Sequence, residues 1–233
     1  MKDEFHIDQL VRKALYEIIT PNKQEMFDLI APDRTRHLTV VLENVYQEHN
    51  ASAVVRTCDC FGVQDLHIIE KNNQYKVQRD IALGAGRWVD MHNYSAGESP
   101  TIACLSALKD KGYSLVATTP HENDYTINDI PIDQPVALIF GTERRGISDE
   151  VKEMADKFVR IPMVGFTESF NVSVSVALAL QALRHRLESS GLAWKLSEEE
   201  VEKLKIQWCS KILNGGFAIA ERLRNELQQE SKQ

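Results

Sequence analysis

From His37 onward the chain alternates short apolar runs with stretches of helical spacing, and that alternation restricts its fold more than any other feature. Leu38 to Leu42 reads as a buried strand, Asp65 to Ile69, Ser114 to Thr118 and Val136 to Phe140 as strands, and Phe158 to Ile161 as a short strand. Between them, Ala51 to Phe61, Thr101 to Lys111 and a segment starting at Ser148 carry helical patterns. A strand that is apolar throughout is covered on both faces, and an intervening helix lets the next strand return parallel to it. The expectation is an α/β fold with a largely parallel sheet.

Helices are expected on both sides of this core. Leu10, Val11, Ala14, Leu15, Ile18 and Ile19 recur at helical spacing until Pro21 stops them. Asn22, with Glu25 three residues on, signals a second short helix that ends before Pro32. Val172, Val176, Leu180, Leu183 and Leu187 hold one stripe, and the first half of that helix is apolar on most sides, which predicts burial. Beyond Gly191, Ser197-Glu198-Glu199-Glu200 is a capping box, with Val201, Leu204, Trp208 and Ile212 as its stripe. Gly215-Gly216 interrupts the pattern before Phe217, Ala220, Leu223 and Leu227 resume it. The reading gives a helical N-terminal extension over 1–36, an α/β core over 37–190 and a helical C-terminal extension over 191–233.

Composition narrows the function classes. Hydrophobic residues make up 43% of the 233 and charged ones 26%, which excludes wholesale disorder. The longest stretch without a charge, Ser169 to Leu183, falls short of the roughly 18–20 apolar residues of a bilayer span. The acidic start, Met1 to His6, lacks the apolar region of a secretory signal, so the protein is expected to be neither exported nor membrane-spanning. Cys58, Cys60, Cys104 and Cys209 are scattered as reduced cytoplasmic thiols are. Cys58-x-Cys60 lacks the gap of a zinc knuckle and the seven histidines are dispersed, so no metal is expected. A net charge of −7 argues mildly against nucleic-acid binding but leaves room for a local basic patch.

In an open parallel sheet, ligands bind beyond the carboxyl ends of the strands. Three strands here end in unusual loops: Thr118 to His121, Gly141 to Gly146, and Pro162 to Asn171. Gly141 and Gly146 allow main-chain groups to approach a ligand closely. The third loop runs into a helix N-terminus, where free N–H groups favour an anion. Each loop alone reads first as a tight turn with a helix cap, since Ser148, Ser169 and Asn171 are good N-caps. Together at strand ends they point to a cofactor pocket. No G-x-G-x-x-G follows the first strand, and neither a P-loop nor a G-x-S-x-G occurs.

Three ordered motifs carry a resemblance. They are Asn50-x5-Arg56-Thr57-Cys58-Asp59-Cys60-Phe61-Gly62-Val63; Ile139-Phe140-Gly141-Thr142-Glu143-x2-Gly146-Ile147; and Ile161-Pro162-Met163 with Ser169-Phe170-Asn171-Val172-Ser173-Val174-Ser175. In order and spacing they resemble the SpoU family, RNA ribose 2′-O-methyltransferases of the SPOUT fold. With its short helical extensions, the whole chain is most similar to the TrmH group, which acts on a tRNA guanosine. The resemblance implies a SPOUT-type sheet whose carboxyl half is tied into a trefoil knot, a homodimer with its active site at the interface, and S-adenosyl-L-methionine as methyl donor. It implies that Thr118, Gly141, Ile161 and Phe170 line the cofactor site, and that Arg56 is the catalytic arginine. Asn50 would hold the surroundings of Arg56, while Glu143, Ser169 and Asn171 shape the active site and subunit contact. The implied substrate is tRNA, most simply at the D-loop guanosine 18; other implied readings are another tRNA position, rRNA, or a non-catalytic knotted RNA-binding protein.

Arginine is a surprising base, because its pKa lies above ~12. It either loses a proton with help from an RNA phosphate, or clamps that phosphate and aligns the 2′-OH. In the last quarter of the chain, Arg184, Arg186, Lys203, Lys205, Lys211, Arg222 and Arg224 offer a grip on tRNA, with dimer packing as the alternative.

Overall fold

The computed structural model describes residues 4–45, 47–70, 84–122, 124–142 and 145–230. In chain order its elements are α1 (Glu4–Tyr16), α2 (Pro21–Ile30), β1 (Leu38–Glu43), α3 (Glu48–Cys60), β2 (Asp65–Ile69), β3 (Asp90–Tyr94), α4 (Pro100–Asp110), β4 (Ser114–Thr118), β5 (Tyr125–Thr126), β6 (Val136–Phe140), α5 (Asp149–Met154), β7 (Lys157–Arg160), α6 (Val172–Glu188), α7 (Glu198–Ile212) and α8 (Gly216–Glu230). They form two compact units, one of residues 35–194 and the other of residues 1–34 with 195–233. The two helical extensions therefore belong to one unit.

In the larger unit the strands stand in the order β3-β2-β1-β6-β4-β7-β5, and the paired strands run parallel. β1, β2 and β6 are buried along their whole length, as strands covered by helices on both faces are, and Thr39, Glu43, Asp65 and His67 are buried in them beside the Val, Leu and Ile residues. On one face Leu38, Val40 and Leu42 pack with Leu66, Ile68 and Leu138 beneath α3 and α6. On the other, Val41, Ile69, Ala137 and Ile139 pack with Leu105 and Leu108 of α4 and Val151 of α5. Because β1, β4, β6 and β7 point the same way, their carboxyl ends open onto one edge of the sheet.

The expected α/β class and largely parallel sheet hold, with instructive departures. β3 reads Asp-Met-His-Asn-Tyr, too polar to announce a strand; it is an edge strand, only partly buried, so its sequence had no apolar run to show. β5 spans two residues, below what any pattern reveals. The N-cap of α2 is Thr20, not Asn22, and Pro21 opens the helix because its missing N–H costs nothing in the first turn. α6 is less buried than its apolar first half suggested: Val176, Ala179 and Leu180 enter the core, while Val174 and Leu178 remain 43% and 40% exposed.

In the smaller unit, Val11 and Leu15 of α1, Phe27 of α2 and Leu204 and Trp208 of α7 are buried. Phe27 and Trp208 meet with ring centroids 5.3 Å apart, and the Arg34 guanidinium lies 5.8 Å over the Trp208 ring. The capping box at Ser197 and Glu200 forms as read. Several basic residues suggested as a tRNA grip are engaged within their own units. Lys205 is buried on Asp28 at 2.7 Å, Arg224 pairs with the buried Asp8, and Arg222 faces Glu226. Arg184 donates to Glu188 and the Phe61 carbonyl and lies over Trp194, while Arg186 donates to the Ile127 and Ile130 carbonyls.

Candidate active-site cleft

The ends of β4, β6 and β7 meet at a cleft of about 340 Å³ whose lining includes Thr118, Gly141, Ile161, Ser169 and Phe170. Five residues singled out in the sequence thus come together from three separate loops. The volume falls in the usual range for a small-molecule site. Phe140, Ile147, Ile161 and Phe170 supply apolar wall, and Thr118, Thr142 and Ser169 supply hydroxyls. That mixture fits a ligand with one flat aromatic ring, whose faces stack on apolar side chains, and several polar groups, as S-adenosylmethionine is.

The loop after β6 closes on itself. Thr142 N–H donates to the Gly146 carbonyl at 3.0 Å, Gly146 N–H returns to Thr142 O at 2.9 Å, and Arg145 N–H donates to Thr142 Oγ1 at 3.0 Å. Gly146 has φ +65°, a left-handed backbone that favours glycine. A Cβ on Gly141 would lie 2.1 Å from the Gly146 carbonyl oxygen. Gly141 is thus required by the closure of its own loop, a more direct reason than the approach of a ligand. Thr118 Oγ1 donates to the Ile139 carbonyl at 2.8 Å, so it faces the cleft as an acceptor.

The irregular segment 161–170 leads into α6, whose N-cap is Asn171. Asn171 Oδ1 accepts from Ser173 N–H at 2.9 Å and from Ser173 Oγ at 2.6 Å. Its Nδ2 donates to Oδ1 of Asn50 at 3.1 Å, and Asn50 Nδ2 donates to Gln47 Oε1 at 3.3 Å. The capping asparagine of α6 is therefore tied to the first turn of α3, and Asn50 is 7% exposed.

Arg56 stands apart from this arrangement. It is exposed, and it is not among the residues lining the cleft. Six positions along α3 separate it from Asn50, which turns it about 120° away and moves it about 9 Å along the axis. Asn50 faces α6; Arg56 faces solvent. Glu143 lies outside the described residues.

Two features escaped the sequence reading. Glu43, the last residue of β1, is 2% exposed. Its Oε2 accepts from Ser148 N–H at 2.9 Å, and its Oε1 accepts from Ser148 Oγ at 2.6 Å and Thr101 Oγ1 at 3.0 Å. This buried carboxylate fixes the far end of the 141–147 loop, and a glutamate closing an apolar strand was the available signal. Arg145 and Arg160 also line the cleft; as loop and strand-end arginines they had no pattern to mark them.

Residues 37–181 match the SpoU rRNA methylase family model. The chain belongs to the SpoU methylase family. Among its relatives is the tRNA (guanosine(18)-2′-O)-methyltransferase of Borreliella burgdorferi, 35% identical over 91% of this chain and 95% of that one. The crystal structure of the Aquifex aeolicus TrmH/SpoU tRNA-modifying enzyme superposes with a TM-score of 0.72 at 29% identity, covering 88% of this SpoU methylase and all of the other chain. The SpoU methyltransferase AviRb of Streptomyces viridochromogenes, solved in complex with AdoMet, shares the fold with a TM-score of 0.58 at 22% identity, over 69% of this chain and 62% of its own.

Proposed function

We propose that this SpoU methylase transfers a methyl group from S-adenosylmethionine to the ribose 2′-OH of guanosine 18 in tRNA. The observation that carries the reading is the cleft, where loops from three strand ends meet in a chain matched over 91% of its length by a guanosine-18 methyltransferase. When bound, S-adenosylmethionine supplies an electrophilic methyl carbon on a sulfonium, which passes to the 2′ oxygen as that hydroxyl loses its proton. Thr118, Gly141, Ile161 and Phe170 hold this cofactor, Thr118 through its acceptor oxygen and Gly141 through its backbone.

Arg56 acts on the RNA. Its planar guanidinium takes the phosphate beside the reacting ribose and holds the 2′-OH in line, which removes most of the orientational cost of the reaction. Proton removal falls to that phosphate or to water, a division that suits a group as weakly acidic as guanidinium. Asn50 and Asn171 fix α3 against α6 and so the helix that carries Arg56. Glu143, Ser169 and Asn171 shape the active site and the subunit contact.

The active unit is a homodimer with the site at its interface. Two features support this: Arg56 is not among the residues lining the cleft, and an apolar surface stands open beside it. Val164 and Phe166 are fully exposed, and Phe170, Val174 and Leu178 follow at four-residue steps, each at least 40% exposed. A second copy of this chain covers that stripe and brings its own Arg56 to the cleft. Family membership supports a trefoil knot in the carboxyl half of the sheet, and the tRNA substrate puts the reaction in the cytoplasm. Among the described residues, no helix is long and apolar enough to cross a membrane.

The test is methyl transfer from labelled S-adenosylmethionine to an unmodified tRNA transcript and to its twin carrying 2′-deoxyguanosine at position 18. Label on the first and none on the second is expected. Equal labelling of both, or label only on rRNA fragments, contradicts the reading.

A further inference from the structure

The described arginines divide sharply by what they touch. Arg12, Arg184, Arg222 and Arg224 are ion-paired within the protein, and Arg36 bridges Asp65 and Asp90. Arg186 is spent on backbone carbonyls, and Arg34 is buried over Trp208. Among the described residues, the side chains of Arg56, Arg87, Arg145 and Arg160 have no ion-pair or hydrogen-bond partner. In a chain with 34 acidic residues against 27 basic ones, unpaired arginines are the exception. Two of these, Arg145 and Arg160, line the same cleft, one from the loop after β6 and one at the end of β7. Lys152, also in the lining, is held by Asp149 at 2.7 Å, and among the described residues His121 and Glu168 are the other titratable side chains there.

We propose that Arg145 and Arg160 are the cleft-edge contacts for phosphates of the substrate RNA, a footing distinct from Arg56. This rests on the reading of the chain as an RNA methyltransferase. Two arginines converging on one opening repel each other until an anion arrives, and the guanidinium fork fits phosphate oxygens in pairs. Either the carboxylate of the cofactor or an RNA phosphate meets that description. Exposure favours the RNA: of the four residues assigned to the cofactor, Thr118, Gly141 and Ile161 are partly buried and only Phe170 is exposed, whereas Arg145 and Arg160 are both exposed. The outer ring faces the larger, polyanionic substrate. It also gives the protein a basic footing that the engaged arginines of the tail do not supply.

The experiment measures binding of a fluorescently labelled, unmodified tRNA transcript across a range of salt concentrations. The proteins are the wild type, Arg145→Ala, Arg160→Ala, the double variant and Arg87→Ala, an exposed arginine outside the cleft lining. Circular dichroism confirms that each variant is folded, and S-adenosylmethionine affinity is measured in parallel. Each rim substitution is expected to weaken tRNA binding about five- to tenfold at low salt. Each should also lower the slope of log affinity against log salt by about 1, and the double variant by about 2. S-adenosylmethionine affinity should stay within about twofold, and Arg87→Ala should match the wild type. Unchanged salt slopes, an equal loss in Arg87→Ala, or a loss confined to S-adenosylmethionine would each overturn the proposal. Failure of the methyltransfer reading shows separately, as absence of transfer by the wild type.

Discussion

Asn171 and Asn50, 121 positions apart, are joined side chain to side chain at 3.1 Å, so the N-cap of one helix is anchored to the first turn of another. Asn171 is then doing two jobs, capping α6 and fixing α3. Asn171→Ala is expected to cost about 1–2 kcal/mol, from a lost cap and a lost hydrogen bond to the buried Asn50. Asn50→Ala leaves the cap intact and should cost less. Denaturant unfolding of the two single variants and the double variant should give a coupling of at least about 0.5 kcal/mol. Strict additivity would show that the contact contributes nothing.

Gly141→Ala tests the loop closure. The added Cβ must displace the Gly146 carbonyl, and no side-chain rearrangement relieves the clash because the obstacle is backbone. A stability loss of about 1–3 kcal/mol is expected. Calorimetry should show S-adenosylmethionine binding weakened at least tenfold, that is by about 1.4 kcal/mol. Gly165→Ala, with no atom closer than 4.0 Å to the added carbon, should bind normally.

What was legible in the sequence follows from how each feature is encoded. β2, β4 and β6 were readable to the residue because their mostly apolar runs, broken only by Asp65, His67, Ser114 and Thr118, stand between helical patterns, and Ser148 and Ser197 were readable because capping is local chemistry. β3 was not, because an edge strand half open to water carries no such run. The cleft residues were visible through motif spacing, but their partners were not. The link between Asn50 and Asn171 and the grip of Glu43 on Ser148 are long-range contacts that no local pattern records. The exposure of Val174 and Leu178 was hidden for a related reason: an apolar residue looks the same whether its own chain or another molecule covers it.

Glu43→Gln replaces one acceptor oxygen with an amide donor that confronts either the Ser148 N–H or the two hydroxyls now pointing at the carboxylate. One buried donor is left unpaired, for a loss of about 1–3 kcal/mol. Because Ser148 ends the loop that lines the cleft, the KM for S-adenosylmethionine should rise several-fold while the KM for tRNA stays constant. Equal KM values in variant and wild type would confine Glu43 to a role in stability.

His67 gives the larger unit an acid sensitivity. Burial, followed by the neighbouring His92, lowers its pKa from the ordinary 6.5 to about 4. The rings of His67 and His92 stack 4.6 Å apart, and His92 Nε2 is 2.7 Å from Asp65 Oδ1. Between pH 6.5 and about 4 the unfolded chain takes up a proton at this site that the native fold refuses, so stability is present above that window and falls as pH drops through it. The contribution is roughly 3 kcal/mol at most. Scanning calorimetry from pH 7 downward should show a shallower decline in Tm for His67→Asn than for the wild type. Parallel curves would remove His67 from the account.

The measurement that bears most directly on the central claim is sequencing-based mapping of ribose methylation on unmodified tRNA after incubation with this protein and S-adenosylmethionine, alongside Arg56→Ala. The account predicts a single new mark at guanosine 18 with the wild type. It predicts no mark with Arg56→Ala, although that variant binds S-adenosylmethionine as the wild type does. A mark at another position, a mark on ribosomal RNA alone, or an undiminished guanosine 18 mark with Arg56→Ala would contradict it.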